Sequence, residues 1–394
     1  MFESMVLRNS EDGRIPTAGV IAEALLFYQK LHLVLDNGSF IGLINQLGPR
    51  LFLRLLERPG VNTVYCEDMQ ATITNSVSEQ KTYQFTGFRM TGHEGVKRKM
   101  TREERFLFQL HKAGVSRTEA KKFTDRFLRL VSVRRLESDF FLPGGIAKAA
   151  RLDLDDSAFV HGAVRALLAD SPGAGAATFS KFEIYGLGDM FLVFDDIDFE
   201  VINATRACYS PPLEALTPAH LLTHILTARG DLAIASHYGG DFLATGQTSR
   251  LICLRYADLL RRAGINAEER LKFQEFVLPD SPSVREVIDA KERSFEEFLE
   301  LIDKGDRFRK WVNEINPDEG MVRAYHREMT SNGWIEKLPS KVARYLLTSA
   351  LGAVVSPLVS LAISAADALL LDRMVRGWRP SHFIEKGLKP FVQP

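Results

Sequence analysis

The chain has 394 residues, and its 50 basic side chains balance 50 acidic ones, so that the formal net charge is zero. With 45% hydrophobic and 25% charged residues, the composition is that of ordinary globular proteins and excludes a wholly disordered chain. The length predicts two or three packed units, and the balanced charge says nothing about partners of the chain as a whole.

The three cysteines, Cys66, Cys208 and Cys253, are far apart in the sequence. They have neither the spacing of a zinc site nor the even number of a disulfide framework. Residues 1–30 contain acidic side chains early and lack a basic segment leading into an apolar run, so we expect no signal peptide. Both features favour a reducing compartment and therefore a cytoplasmic protein.

The N-terminal part is predicted to be a mixed α/β unit. An apolar run over Ile21–Tyr28 suits a buried helix, and Leu31–Leu35 suits a strand that runs into a turn at Asp36, Asn37 and Gly38. Further along, the alternation of apolar residues and the turn residues between them predict three more elements. These are a short helix over Leu51–Leu56 and strands around Val61–Tyr65 and Tyr83–Met90.

A basic helical hairpin is predicted to follow. Thr101 and Ser116 are each followed three residues later by Glu, which is the capping-box pattern that opens a helix, and Gly114 lies between the two helices. Between Gly95 and Arg135 there are thirteen basic residues against four acidic ones. Such an asymmetry can mark a surface for an anionic partner.

The segment His111–Ala120 resembles the turn of helix-turn-helix DNA-binding proteins. The two residues just before this segment, Gln109 and Leu110, depart from the pattern. The resemblance implies that the second helix would enter the major groove and contact bases or phosphates. The candidate anion-binding residues are Arg117, Lys121, Lys122, Arg126 and Arg129. Nucleic acid would thus bind through residues 97–135, and the two alternatives are a solvated basic face and a surface that lies on anionic lipid.

A β-hairpin is predicted where the runs Phe182–Tyr185 and Met190–Glu200 flank a Gly-Leu-Gly turn. On the second strand, Asp196, Asp198 and Glu200 would point to one face, where three carboxylates could bind magnesium in a metal-dependent hydrolase. These three residues are the catalytic candidates of the sequence. The simpler alternative is the solvated outer face of an antiparallel strand.

Beyond Pro211 the chain is predicted to be mostly helical, with a helix start at Thr217-Pro218. His220 and His224 are one helical turn apart, so both could bind one metal ion, with His237 completing the site. The alternative is a pair of histidines on a surface or in a polar core.

The segment from Tyr345 to Ala366 contains no charged residue and is long enough for a helix that crosses a bilayer. Small residues recur along it at about helical spacing, and such a stripe lets helices approach closely in lipid. The segment residues singled out for contact with a membrane or partner are Gly352, Ser356, Pro357, Ser360 and Ser364. Alternatively, Pro357 breaks the segment into two short helices that pack as a hairpin inside a soluble core.

These elements predict an α+β fold that is mostly helical and has three successive parts. Residues 1–142 form the mixed α/β unit that ends in the basic helical hairpin (101–135). Residues 146–340 form a small antiparallel hairpin element and a helical domain, in which an apolar stripe from Val284 to Ile302 has helical spacing. Residues 341–394 form the apolar helix or helical hairpin with a packed tail.

The sequence favours an intracellular, non-enzymatic effector or interaction protein that associates with a membrane or a partner protein through its apolar C-terminal segment, in a switched state. Such a protein would be cytoplasmic and would associate peripherally or inducibly with the inner face of a membrane. The first alternative is a soluble nucleic-acid-binding protein that uses the basic hairpin, and the second is a metal-dependent hydrolase. No cofactor is predicted, and homo-oligomerisation stays open.

Overall fold

The computed structural model of this protein describes the greater part of the chain. The described residues are 2–8, 16–77, 80–89, 99–242, 251, 254, 268–279, 281–315, 320–330 and 380–393. The chain divides into two compact units. The larger unit comprises Ser4–Ile21 and Lys30–Gly264, and the smaller comprises Met1–Glu3, Ala22–Gln29 and Ile265–Pro394.

Strands occur only before residue 243 in the described part of the chain. In chain order they are β1 (Ser4–Leu7), β2 (Lys30–Leu35), β3 (Val61–Cys66), β4 (Met69–Val77), β5 (Gln80–Phe88), β6 (Ser132–Arg134), β7 (Phe182–Leu187), β8 (Met190–Asp195) and β9 (Asp241–Phe242). Helices dominate the C-terminal half, so the predicted α+β class, with a mixed α/β part first, is confirmed.

The helices of the larger unit whose bounds the structure describes come before β9. In chain order they are α1 (Ala18–Phe27), which continues into the smaller unit, α2 (Asn37–Leu56), α3 (Arg102–Lys112), α4 (Arg117–Leu130), α5 (Ile146–Asp153), α6 (Ser157–Asp170), α7 (Phe199–Ala207) and α8 (Pro218–Tyr238). The smaller unit contains α9 (268–277), α10 (Val284–Asp289), α11 (Phe295–Asp303), α12 (Asp306–Glu314), α13 (Met321–Thr330), α14 (Pro380–Phe383), a π-helical turn (Ile384–Leu388) and α15 (Lys389–Val392).

The larger unit is built on a five-stranded sheet with the order β6-β3-β2-β1-β9, in which every neighbouring pair is parallel. Parallel neighbours need crossover connections, which place helices over the faces of the sheet and bury the strands on both sides. Accordingly β1 is buried along its whole length and β2 along most of its length.

An aromatic cluster joins α2, α3 and α4 to one face of this sheet. The Phe40 ring of α2 lies at its centre, with centroid distances of 5.0 Å to Phe127, 5.3 Å to Phe106 and 5.9 Å to Tyr65. Phe123 stacks on Phe127 at 5.6 Å. Because rings in this cluster come from three helices and one strand, their burial sets how the basic hairpin sits on the sheet.

The second sheet is antiparallel, with the order β4-β5-β8-β7. Its inner face includes Phe182 and Phe191, both about 1% exposed, and it packs into the same core as α5, α6 and α8. The predicted hairpin of β7 and β8 is therefore present, with Gly188 in the left-handed region (φ 59°) at the turn. The second strand ends at Asp195, five residues before the predicted end at Glu200.

Two local predictions in the first part of the chain have different outcomes. The turn predicted at Asp36 was wrong: Asp36 is the N-cap of α2, and its carboxylate accepts a hydrogen bond from the backbone N–H of Ser39 at 2.8 Å. The predicted short helix over Leu51–Leu56 is present as the second half of α2, which the non-helical Gly48 (φ 74°) separates from the first half. The capping interaction explains why a helix begins where a turn was predicted, because it satisfies backbone donors at a helix start.

The smaller unit has its own aromatic core. Phe273 packs edge-on against Phe27 at 6.4 Å, and Phe308 stacks on Phe383 of the C-terminal segment at 4.9 Å. The apolar stripe from Val284 to Ile302 is divided between α10 and α11. Ser294 opens α11 with a capping box, which starts a new helix where the apolar spacing alone suggests continuation.

We predict that Phe40→Ala lowers the free energy of unfolding of the larger unit by about 3–5 kcal/mol, because it empties the centre of the aromatic cluster. The measurement is a urea titration followed by far-UV circular dichroism. Phe88→Ala is the matched control, since the Phe88 ring is 42% exposed and the same atoms are removed. Equal losses for the two variants would contradict the central place given to Phe40.

Candidate functional site

The basic hairpin is held by the caps that the sequence predicts. The Thr101 hydroxyl accepts from the N–H of Glu104 at 3.2 Å, and the Glu104 carboxylate accepts from the N–H of Thr101 at 2.7 Å. Gly114 adopts a φ of 82° between the helices, and Ser116 caps α4 by accepting from the N–H of Glu119. Residues with a Cβ rarely adopt this φ, so the turn depends on glycine.

Helix α4 has one buried face and one exposed face. Ala120, Phe123, Thr124 and Phe127 are buried against the rest of the unit. The remaining positions carry five exposed cations, which we call the α4 basic face: Arg117, Lys121, Lys122, Arg126 and Arg129. The structure therefore brings all five predicted anion-binding residues to one side of one helix.

The five cations differ in how they are engaged within the protein. Arg126 forms an ion pair with Glu57, and the Nε of Arg129 donates to the carbonyl oxygen of Asp125 at 3.0 Å. Arg117, Lys121 and Lys122 have no ion-pair partner within the described part of the chain. These three are the side chains that an anion can reach without first displacing an internal partner.

An open cavity of about 370 Å³ lies between α4 and the second half of α2. Its walls carry the basic residues Arg50 and Arg54 from α2 and Lys122 and Arg126 from α4. Glu57 and Glu119 are the acidic residues that line it. Sequence reasoning missed Arg50 and Arg54. Their spacing of four residues on a helix was the available signal. Only the packing of α2 beside α4 makes these two arginines part of the same surface as the cations of α4.

The arginines of α3 have a different role from those of α4. The side chain of Glu67, 4% exposed, contacts Arg89 at 3.1 Å, Arg105 at 3.4 Å and also Arg102. Burial by itself would raise the pKa of Glu67, but the hydrogen bonds and charges of Arg102, Arg89 and Arg105 outweigh it, so the pKa is lowered. Arg102 and Arg105 thereby hold the start of α3 on the end of β3, and Arg89 joins the end of β5 to the same carboxylate.

The carboxyl edge of the parallel sheet, where ligands bind in many α/β proteins, is held together by its own charged groups. The carboxylate of Asp68 accepts from the N–H groups of Leu136 at 2.7 Å and Glu137 at 3.1 Å. Arg8, directly after β1, donates to Asp231 of α8 at 2.8 Å. The pairing joins the end of β1 to α8.

The three histidine candidates are spread along one helix. His220, His224 and His237 all lie on α8, and His237 is about 25 Å along the axis from His220, given a rise of about 1.5 Å per residue. The prediction that His237 completes the site was wrong, because α8 runs unbroken through Gly230. The described residues contain no group of three or more potential metal ligands.

Each of the three histidines has local partners. The Nδ1 of His220 is 2.8 Å from the Thr217 hydroxyl, and the ring of His237 packs on Phe140 at 4.7 Å. Burial is the main cause that lowers the pKa of His224, and the neighbouring His220 adds to it. The alternative of structural histidines on a helix fits these contacts.

The three candidate carboxylates do not share the face of a strand, so that prediction was wrong as well. Asp196 follows the end of β8, and its carboxylate accepts from the hydroxyl of Ser180 at 2.6 Å and the N–H of Lys181 at 2.9 Å. Asp198 is the N-cap of α7, accepting from the N–H of Val201 at 3.0 Å, and Glu200 lies in the first turn of that helix. Carboxylates cap backbone N–H groups here instead of facing one another.

The apolar segment from Tyr345 to Ala366, with Gly352, Ser356, Pro357, Ser360 and Ser364, lies outside the described residues. Within the described part of the chain, none of the helices combines the length and the apolar composition that a membrane-spanning helix needs. Contact of this segment with a membrane or a partner therefore stays a prediction.

Comparison of the chain with protein-family profiles, with curated proteins and with solved structures finds no match.

We predict that the carboxylate of Asp196 titrates at a pKa of about 2, because the Ser180 hydroxyl, and then the backbone N–H groups of Lys181 and Ser180, stabilise its charged form. Its contribution to stability is complete above the unfolded-state pKa of about 3.9 and is lost as the pH falls through about 2. The measurement is an NMR titration of the side-chain carboxyl carbon.

In Ser180→Ala the pKa of Asp196 should rise toward its ordinary value, whereas the remote Ser236→Ala should leave it unchanged. Millimolar MgCl₂ should not move the titration of the unmodified protein. A large downward shift with magnesium would revive the metal site that the sequence suggested.

Proposed function

We propose that the larger unit binds nucleic acid through the α4 basic face. The observation that carries this proposal is that Arg117, Lys121 and Lys122 project from a capped helix without an internal ion-pair partner in the described residues. Phosphates are the densest source of negative charge in nucleic acids, and side chains of this kind supply most of the affinity by releasing condensed counterions.

The shape of the hairpin supports binding in a groove of a duplex. Helix α4 has 14 residues and is about 21 Å long, and an α-helix fits the major groove of B-form DNA. Arg117 and Lys121 lie in the first two turns, the part of a recognition helix that usually approaches base edges. Arg50, on the opposite wall of the cavity beside α4, would extend the contact along the phosphate backbone.

The packing of α4 favours nucleic acid over a membrane surface. A helix that binds at a lipid interface buries an apolar face among the acyl chains in addition to its basic contacts. The apolar face of α4 is committed to the aromatic core of the unit, through Phe123 and Phe127. Leu130 is the one large apolar side chain of α4 that is more than a third exposed.

We predict that the triple charge reversal Arg117→Glu, Lys121→Glu, Lys122→Glu weakens binding to a short random-sequence DNA duplex by roughly two orders of magnitude. It should also reduce the slope of log affinity against log salt concentration by about 0.9 for each phosphate that the variant no longer neutralises. The measurement is fluorescence anisotropy of a labelled duplex over a series of NaCl concentrations, with the full-length chain.

The matched control is Lys304→Glu, Arg307→Glu, Lys310→Glu, which reverses one Arg and two Lys that are also exposed, in the smaller unit. We expect this variant to bind the duplex as the unmodified protein does. The same proteins are also mixed with vesicles that contain phosphatidylserine. Loss of vesicle binding in the first variant without any DNA binding by the unmodified protein would overturn the proposal in favour of a membrane surface.

A further inference from the structure

The two edges of the antiparallel sheet differ in how they are covered. At the β4 edge, helix α8 lies alongside, and the hydroxyl of Thr223 accepts from the backbone N–H of Thr72 at 3.3 Å. The same hydroxyl donates to the Thr72 hydroxyl at 2.9 Å. At the other edge, β7 pairs only with β8 within the described part of the chain.

The direction of the backbone groups of β7 follows from its pairing. The N–H of Asp196 donates to the carbonyl of Lys181 at 3.2 Å, which makes Lys181 a hydrogen-bonded position facing β8. Such positions alternate along an antiparallel strand. The N–H and C=O groups of Phe182, Ile184 and Gly186 therefore point away from β8, toward the open edge.

A cavity of about 360 Å³ runs beside these groups. One wall is the strand itself, from Phe182 to Gly186, and the other consists of side chains of α5 and α6 such as Arg151 and His161. Val160 and Phe191 supply apolar surface at its base. The cavity lies on the inner side of the sheet, where every second side chain of an added strand would point.

The sequence of β7 lacks the usual protection of an edge strand. Natural edge strands carry lysines, prolines or bulges that prevent pairing with another chain. From Phe182 to Leu187 the only charged residue is Glu183, whose carboxylate accepts from the Tyr185 hydroxyl at 2.8 Å and pairs with Lys181 at 3.4 Å. An unprotected edge beside a cavity is the arrangement by which domains bind extended peptides.

We propose that an extended peptide segment of a partner protein binds along β7 as a fifth strand of this sheet. Its backbone pairs with Phe182, Ile184 and Gly186, and one apolar side chain enters the cavity. Main-chain hydrogen bonds supply affinity in this mode, and the pocket for alternate side chains supplies specificity.

A second copy of this chain fits the edge less well than a peptide does. An added strand would lie about 4.8 Å from β7, and side chains from Arg151 to His161 already line the cavity beside that position. Two copies that paired edge to edge about a two-fold axis would each bring their own α5–α6 wall to the same side of the joined sheet. A single extended segment has no such wall.

Gly186 offers a sharp test, because its N–H points to the open edge and has no part in pairing with β8. Gly186→Pro removes this donor and obstructs the edge, and proline is tolerated in edge strands where the N–H faces outward. Gly186→Ala is the matched control, since its Cβ would meet nothing closer than the Arg151 guanidinium at 3.8 Å, an ordinary contact. Both variants should keep the circular dichroism spectrum of the unmodified protein.

The probe is a phage-displayed library of random nine-residue peptides, selected on the full-length chain. Peptides that are enriched are synthesised with a fluorescent label and measured by anisotropy. We expect Gly186→Ala to bind them as the unmodified protein does and Gly186→Pro to bind at least about tenfold more weakly. Methylation of alternate backbone nitrogens of the peptide should weaken binding to a similar extent.

Three results would overturn the proposal. The first is a selection that enriches no peptide over an uncoated surface, and the second is a peptide that binds Gly186→Pro as well as Gly186→Ala. The third is a dimer in sedimentation velocity that Gly186→Pro dissociates, which would make a second copy the occupant. None of these results bears on the DNA-binding experiment, because the α4 basic face is left unchanged.

Discussion

Helix α8 is the element on which both sheets of the larger unit depend. It is buried on nearly all sides, because it packs in the core shared with the antiparallel sheet while its Asp231 pairs with Arg8 at the end of β1. Near its C-terminus the Tyr238 ring stacks on His32 of β2 at 4.3 Å. A Cβ at Gly230 would come within 3.0 Å of the Arg8 guanidinium, which would then have to shift, so glycine leaves the pair with Asp231 undisturbed despite its cost of about 1 kcal/mol in a helix.

The position of α8 explains the unequal edges of the antiparallel sheet. The helix lies along β4, so the Thr223 hydroxyl accepts the hydrogen bond from the N–H of Thr72 that a neighbouring strand would otherwise accept. No comparable element lies along β7 in the described residues, and the cavity takes its place. A covered edge needs no sequence protection, whereas the open edge of β7 leaves its hydrogen-bonding groups available to the proposed peptide.

The charge asymmetry of the basic hairpin separates into two parts once the contacts are known. The arginines at the start of α3 surround the buried carboxylate of Glu67 and serve the fold. Those of α4 face solvent, because its apolar residues are already used in the aromatic cluster around Phe40.

The two proposed surfaces are physically independent, since the α4 basic face relies on exposed cations and the β7 edge relies on main-chain hydrogen bonds of a strand.

Local signals in the sequence determined a large part of this structure. The caps at Thr101 and Ser116, the turn at Gly114 and the start of α8 at Pro218 were predictable, because capping and proline geometry act within one helical turn. The exposed cations of α4 followed from the same periodicity, since a helix with one apolar face must present its other residues to water.

Contacts between distant residues decided the rest. Strand β5 pairs with β8, about a hundred residues later in the chain, and this pairing leaves β7 at the open edge. Strand β8 ends at Asp195, so Asp196 accepts hydrogen bonds from Ser180 and Lys181 while Asp198 caps α7. The separate packing of α2 beside α4 brings Arg50 near Lys122. No local pattern encodes these outcomes, because the free energy of pairing and packing depends on surfaces that meet only after the chain has folded.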